Sequence, residues 1–289
     1  MTNAKSDYRT RFGVSSGKKL DLSKIDPDDN GEFDGKDAVA KRIDECRSRM
    51  QELQTMLYAE HKRAVLVCLQ GMDSAGKDGV INHVFSAINQ MGCRVTSFKQ
   101  PTPLERAHDF LWRHHLAVPE AGIVALFNRS HYEAVVVERV DKIIDKATCK
   151  RRFDEINDFE RMLASAGTTV VKLFLHISKD EQLARFKARL DDPLKVWKIG
   201  LDDFEQRAKW DDNLAAYEDA ITNTSTATAP WYIVPSNRKW YRDLVISEIM
   251  TETFENMELA LPTPPPDMAE LRKRYDAEQR ATKAGGGTN

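Results

Sequence analysis

Residues Gly71 to Gly79 read GMDSAGKDG and carry the spacing G-x-x-x-x-G-K at Gly71, Gly76 and Lys77. That spacing suits phosphate chemistry. Glycines open backbone conformations closed to other residues, so successive N–H groups can converge on an anion. A helix opening at the end of such a loop adds partial positive charge, and Lys77 adds a full one. The loop, Gly71, Met72, Asp73, Ser74, Ala75, Gly76, Lys77, Asp78 and Gly79, is the expected phosphate and nucleotide cradle. Two acids stand out. Asp78 occupies the place where this motif, known as Walker A, usually carries Ser or Thr for Mg²⁺. Asp73 would repel phosphate unless a cation lay between them, so it reads as a metal ligand or else as a turn-capping Asp.

A second group follows an apolar run in IVALFNRSHYE, Ile123 to Glu133. Loops of this kind are usually partnered there by an Asp that holds Mg²⁺. This chain has the neutral Asn128. Arg129 follows and could clamp a phosphate with its planar fork, and Glu133 could restore the missing carboxylate. Asp73, Lys77, Arg129 and Glu133 are therefore the candidate catalytic residues, with Asp73 and Glu133 the candidate metal ligands. A third group is a charged stretch with Arg185, Arg189, Lys195, Lys198, Arg207 and Lys209. It reads either as a lid closing over phosphates or as a solvated helix face.

These residues need a scaffold that brings strand ends together. Apolar runs predict strands over 64–70, 94–99, 122–127, 169–177 and 231–234. Helical periodicity predicts helices over 36–60, 78–90, 103–116, 132–144, 150–166, 179–190 and 240–257. Alternation of the two implies an α/β fold with a mainly parallel five-stranded sheet covered on both faces. Residues 1–35 are polar and read as an N-terminal arm, 36–262 as the domain, about 191–217 as its lid, and 263–289, with PTPPPD and AGGGTN, as a flexible tail.

Composition excludes several classes. The 289 residues hold 43 Lys and Arg against 45 Asp and Glu, a net charge of −2, so no chain-wide basic signal for nucleic acid exists. No apolar run approaches the roughly 20 residues that span a bilayer. The four cysteines form no C-x-x-C pair and suggest reduced thiols. The N-terminus is polar without a signal-peptide core, and a cytoplasmic location is expected. Asp26, Asp28, Asn30, Gly31 and Asp37 match part of a calcium-loop spacing, but a turn that precedes a helix explains them better. His131 is the tempting phosphohistidine, although no such intermediate is required.

The strings LQGMDSAGKDG, SFKQPT, HDFLWR, FNRSHYE, INDFERML, KLFLHISKDEQLARFKARLDDPLKVWK and APWYIVPSNRKWYRDL, in order along most of the chain, resemble the polyphosphate kinase type 2 family. The resemblance implies a P-loop kinase fold similar to thymidylate kinase, with a helical lid, transferring phosphoryl groups between polyphosphate and nucleotides with Mg²⁺, for which Mn²⁺ can substitute. It implies that Asp73 helps hold metal, that Lys77 and Arg129 bind phosphate, and that Lys195, Lys198 and Arg207 face the polyphosphate chain. The pair Asn128 and Glu133 is similar to the third class of the family, which uses both AMP and ADP. Ala134, Asp141 and Asn213 depart from that class. Adenine nucleotides, with guanine nucleotides as the alternative, are the implied partners, with no nucleic acid or membrane, in a homo-oligomer. The rival readings are an ATP-dependent nucleoside monophosphate kinase and a nucleotide-dependent switch or binding protein.

Overall fold

The structure, a computed structural model, describes residues 7–285. Strands β1 (Ala64–Gly71), β2 (Cys93–Ser97), β3 (Val124–Asn128), β4 (Thr168–His176) and β5 (Trp231–Pro235) form one sheet in the order β2-β3-β1-β4-β5, with every pairing parallel. The expected five-stranded α/β architecture is therefore present. All eight residues of β1 are buried, which requires cover on both faces of the sheet and explains its unbroken apolar run.

The helices in chain order are α1 (Tyr8–Phe12), α2 (Lys36–Glu60), α3 (Lys77–His83), α4 (Pro103–Arg106), α5 (Trp112–His115), α6 (Val137–Val140), α7 (Lys146–Ser165), α8 (Lys179–Leu190), α9 (Leu201–Ala208), α10 (Trp210–Thr224), α11 (Lys239–Glu255) and α12 (Met268–Gly285). Helix α2 buries Val39, Met50, Leu53 and Leu57 along one stripe and packs against α11. Arg42 forks onto the buried Glu248 and pins the two helices together. Helix α7 packs on β4 and on α10.

Several expectations change in detail: over 78–90, α3 ends at His83 before a 3₁₀ turn, Phe85–Ala87, and over 132–144 a 3₁₀ turn, His131–Ala134, precedes only the four-residue α6. The helix expected over 103–116 is two short helices. A capping box between Thr102 and Glu105 starts the first, and Asp109, accepting from the Leu111 N–H, turns the chain into the second. The segment expected as an arm is packed onto the domain wherever it is described. Tyr8, Phe12 and Leu22 are buried, Gly13 makes an antiparallel bridge to Tyr232, and the Val14 N–H donates to the Trp231 carbonyl at 2.8 Å. These contacts cover the open edge of β5. Residues 1–6 of that expectation lie outside the described residues.

The described residues divide into two units that part between Leu259 and Ala260. The second unit, expected as a flexible tail, contains the exposed helix α12, where Arg274 pairs with Glu270 at 3.0 Å. Residues 286–289 lie outside the described residues.

Candidate active site

The central strand β1 runs into the glycine-rich loop, and β3 and β4 flank it. The ends of these strands form the crevice where open α/β sheets bind ligands. Gly71 leaves the strand at φ 148°, and a Cβ there would lie 2.7 Å from the Leu175 carbonyl oxygen. Gly76 has φ 106°, and a Cβ would lie 2.2 Å from a guanidinium nitrogen of Arg242. Both positions require glycine.

The loop is held by its carbonyls. Arg185 Nη1 donates to the carbonyls of Ser74 at 2.9 Å and Ala75 at 2.8 Å, and Gln182 Nε2 donates to that of Asp73 at 2.9 Å. In a trans peptide the C=O and the next N–H point in opposite directions. Anchoring the Asp73 and Ala75 carbonyls therefore turns the Ser74 and Gly76 N–H groups the other way, as an anion cradle needs. Arg185 also donates to the carbonyls of Ser236 and Asn237, which ties the loop to the chain after β5.

The Lys77 ammonium folds back onto the loop, donating to the Gly71 carbonyl at 2.8 Å and that of Met72 at 3.3 Å. Exclusion of water, with repulsion from Arg129, pushes its pKa down to about 8.

Arg129 follows β3 in a left-handed conformation, φ 61°. One terminal nitrogen donates to Asp73 Oδ1 at 2.7 Å and the other to Glu133 Oε2 at 3.2 Å. Glu133, then Asp73, raise the guanidinium's pKa above the ordinary arginine value, against the opposing effect of burial. Glu133 sits on a single 3₁₀ turn, His131–Ala134, capped by Ser130. Ser130 Oγ accepts from Gln70 Nε2 at 3.1 Å, and Tyr217 on α10 donates to Gln70 Oε1 at 3.2 Å. The buried Gln70, Ser130 and Tyr217 thus tie the ends of β1 and β3 to α10, the helix that leaves the expected lid.

Asp78 accepts from Asn128 Nδ2 at 2.9 Å and from Lys198 Nζ at 3.1 Å. Burial raises its pKa, but the hydrogen bonds from Asn128 and Lys198 outweigh that and hold it below the ordinary carboxylate value. Lys198 belongs to a 3₁₀ turn, Val196–Lys198, of the expected lid, which α9 and the first turns of α10 complete. Phe204 of α9 packs edge-on against Phe186 of α8, 5.2 Å between centroids. At the far side Asp141 accepts from Lys209 at 2.7 Å, and Asn213 donates to the Lys209 carbonyl at 3.1 Å. Of the residues departing from the third class, Asp141 thus holds Lys209 in the segment expected as the lid, and Asn213 bonds within the start of its own helix.

The structure brings Asp73, Lys77, Asp78, Asn128, Arg129, Glu133 and Lys198 together. It separates the other expected lid cations. Arg185 is buried beneath the loop and faces its carbonyls, so it is not a lid residue. Arg189 donates to the Lys198 carbonyl, Lys195 pairs with Asp192, and Arg207 donates to the Lys179 carbonyl and to Gln182. Gln182, Arg242, Tyr217 and Arg113 are neighbours of the site that periodicity alone did not single out. Arg113, only 11% exposed, lies over the Phe98 ring and donates to the Lys99 carbonyl.

His131 is fully buried, with Nε2 on Glu160 at 3.1 Å, and burial lowers its pKa. It presents no nucleophile to a substrate. Asp26, Asp29 and Asn30 accept from the backbone N–H groups of Asp28, Gly31 and Glu32, a run of turns. Among the described residues no cluster of three or more His, Cys, Asp or Glu side chains is disposed to hold a metal ion unaided.

A parallel sheet in this order, with a glycine-rich phosphate loop after its central strand and a lysine opening the next helix, defines a P-loop kinase. Within that class the chain belongs to the Polyphosphate kinase 2 (PPK2) family, whose model matches residues 34–262. It is 46% identical over 255 residues to the AMP/ADP-polyphosphate phosphotransferase of Meiothermus ruber, covering 88% of this chain and 96% of that protein. It is 41% identical over 268 residues to the ADP-polyphosphate phosphotransferase of Rhodopseudomonas palustris, covering 89% and 93%. The crystal structure of Polyphosphate Kinase 2 from Arthrobacter aurescens TC1 superposes with a TM-score of 0.90 at 40% identity, covering 93% of this chain and 96% of that one.

Proposed function

We propose that this chain transfers phosphoryl groups between inorganic polyphosphate and adenine nucleotides, converting AMP to ADP and ADP to ATP. The observation that carries the reading is the convergence of Asp73, Lys77, Arg129 and Glu133 at the ends of β1 and β3, in a chain 46% identical to an AMP/ADP-polyphosphate phosphotransferase. An oxygen of the nucleotide's terminal phosphate attacks the end phosphorus of the chain. The bridging P–O bond breaks, and the polyphosphate leaves one unit shorter. Such a transfer needs in-line positioning and charge neutralisation more than covalent help.

Each residue has a part in that neutralisation. Lys77 exchanges the Gly71 and Met72 carbonyls for phosphate oxygens. Arg129 presents its fork to the transferring group, and the loop amides bind a neighbouring phosphate. The site holds three carboxylates, Asp73, Asp78 and Glu133, against three cations, Lys77, Arg129 and Lys198. A protein site near neutrality needs further positive charge to take a phosphate chain. Asp73 and Glu133 are hard oxygen donors already held beside one cation, which fits a divalent metal completed by water and phosphate oxygens. Asp73 and Glu133 would hold Mg²⁺, or Mn²⁺ in its place, which would supply positive charge to offset that of the transferring phosphates.

A homo-oligomer and a cytoplasmic location complete the proposal. The first rests on family resemblance. The second rests on four free cysteines and on the lack, among the described residues, of any helix long and apolar enough to cross a membrane. The deciding experiment is a product assay. Purified protein is incubated with Mg²⁺ and AMP, or ADP, with polyphosphate or ATP as donor. ADP and ATP formed from AMP and polyphosphate alone are the expected result. Products formed only with ATP as donor would make this an ordinary nucleotide kinase.

A further inference from the structure

Position 78 carries a carboxylate where phosphate loops usually carry a hydroxyl, and that carboxylate is engaged with the lid. Asp78 Oδ1 accepts from Asn128 at 2.9 Å, while Oδ2 pairs with Lys198 Nζ at 3.1 Å, across 120 positions of sequence. Lys198 also lies 5.1 Å from the centroid of the Trp197 ring, which is 75% exposed. Arg189 fixes the turn from behind through the Lys198 carbonyl. A lid lysine that reaches the loop is therefore occupied by a protein anion, in the place where a substrate anion would need it.

We propose that Asp78 sets the affinity for polyphosphate by competing with it for Lys198. The free enzyme holds the lid turn to the loop through the Asp78–Lys198 pair. An arriving phosphate chain, a denser anion, takes Lys198 over, and Asn128 retains the released carboxylate. The exchange subtracts the worth of the pair from the binding of the chain. Lys198 is 33% exposed and Asp78 59% exposed, so the pair is a modest one and its loss is reversible. A stronger pair would keep the lid shut against substrate. With no pair the free lid turn would lack its contact with the loop. The neutral Asn128 is part of the device, because a carboxylate in its place would repel Asp78.

This inference rests on the proposed polyphosphate reading, so two readouts are needed. The first uses the free protein: amide hydrogen exchange over residues 195–209 in Asp78→Asn and in Lys198→Met. Asparagine keeps an oxygen for Asn128 and removes only the charge. Exchange several-fold faster than wild type in both variants is expected; unchanged exchange in both would overturn the latch, whatever the substrate. The second readout is the dissociation constant for polyphosphate at low salt, by calorimetry. Asp78→Asn should bind about three- to fivefold more tightly, the equivalent of a modest ion pair. In a Lys198→Met background the same substitution should have no effect. An equal gain in both backgrounds would mean that Asp78 acts only as a nearby negative charge, and the exchange would be wrong. Failure of the wild-type protein to bind polyphosphate would refute the proposed function instead, with the exchange rates still deciding the latch.

Discussion

Arg129 donates to Asp73 Oδ1 at 2.7 Å from one guanidinium nitrogen while the other reaches Glu133. Two acids proposed to serve a metal are thereby spaced and aimed by one cation before any ligand arrives. The planar fork makes this possible, since its two arms diverge at a fixed angle.

Arg129→Lys keeps the charge and loses the fork. One ammonium cannot hold both carboxylates in the same directions. We expect kcat/KM to fall by about 10²-fold or more, within the range for loss of one preorganised charge-stabilising group. Steady-state rates with polyphosphate and ADP, beside a thermal melt, would check it. Near-normal turnover in a folded variant would remove Arg129 from the chemistry.

The depressed pKa of Lys77 predicts a pH dependence of binding. In the free protein the ammonium loses its proton near pH 8. A bound phosphate favours the charged form, so the bound state keeps the proton to higher pH. Between pH 8 and about 10 the complex therefore holds more protons than the free protein, and affinity should weaken as pH rises through that window. Below pH 8 this contribution is flat. Calorimetry in two buffers of different ionisation enthalpy at pH 8.5 should detect proton uptake on binding tripolyphosphate, and none in Lys77→Met.

Gly76→Ala should damage the loop from two directions. A left-handed φ costs an alanine about 1 to 2 kcal/mol. Its Cβ would also meet Arg242, which is buried and held by Asp243 at 2.6 Å. The expected outcome is a melting point lower by several degrees and activity lower by more than tenfold. Wild-type behaviour would mean that the loop relaxes freely.

Behind the site, Lys172 is fully buried and donates to Glu160 at 2.6 Å, to Tyr132 at 3.0 Å and to the Thr224 carbonyl at 2.7 Å. All three ammonium protons are matched. Lys172→Met leaves Glu160 buried without its cation and should cost about 3 to 5 kcal/mol by urea denaturation. A loss below 1 kcal/mol would show that water enters to replace the lysine.

The loop and the sheet were legible because their signals are local. An unbroken apolar strand, a glycine-rich turn and a helix lie within about twenty residues, and no distant partner alters that pattern. Arg185 was misread for the opposite reason. A basic residue on a charged helix looks solvated unless one knows which neighbour covers it, and here the cover is the phosphate loop, 110 positions away. The N-terminal segment was misread in the same way. Its three buried apolar residues are scattered among polar ones, and their packing partners lie near the other end of the domain. The pairing of Asp78 with Lys198 also left no trace in spacing, since it joins a loop to a lid across most of the sheet.

The packing of the first helix has a consequence for how the molecule is made. The N–H groups of Tyr8 and Arg9 are capped by Glu252, 244 and 243 positions later in the chain. A ribosome adding roughly 5 to 20 residues per second needs tens of seconds to reach that glutamate. Throughout that interval helix α1 lacks its cap, and for most of it the edge strand β5 is not yet made. Helix α1 therefore stays uncapped, open to chaperones and proteases alike, until α11 emerges and supplies Glu252.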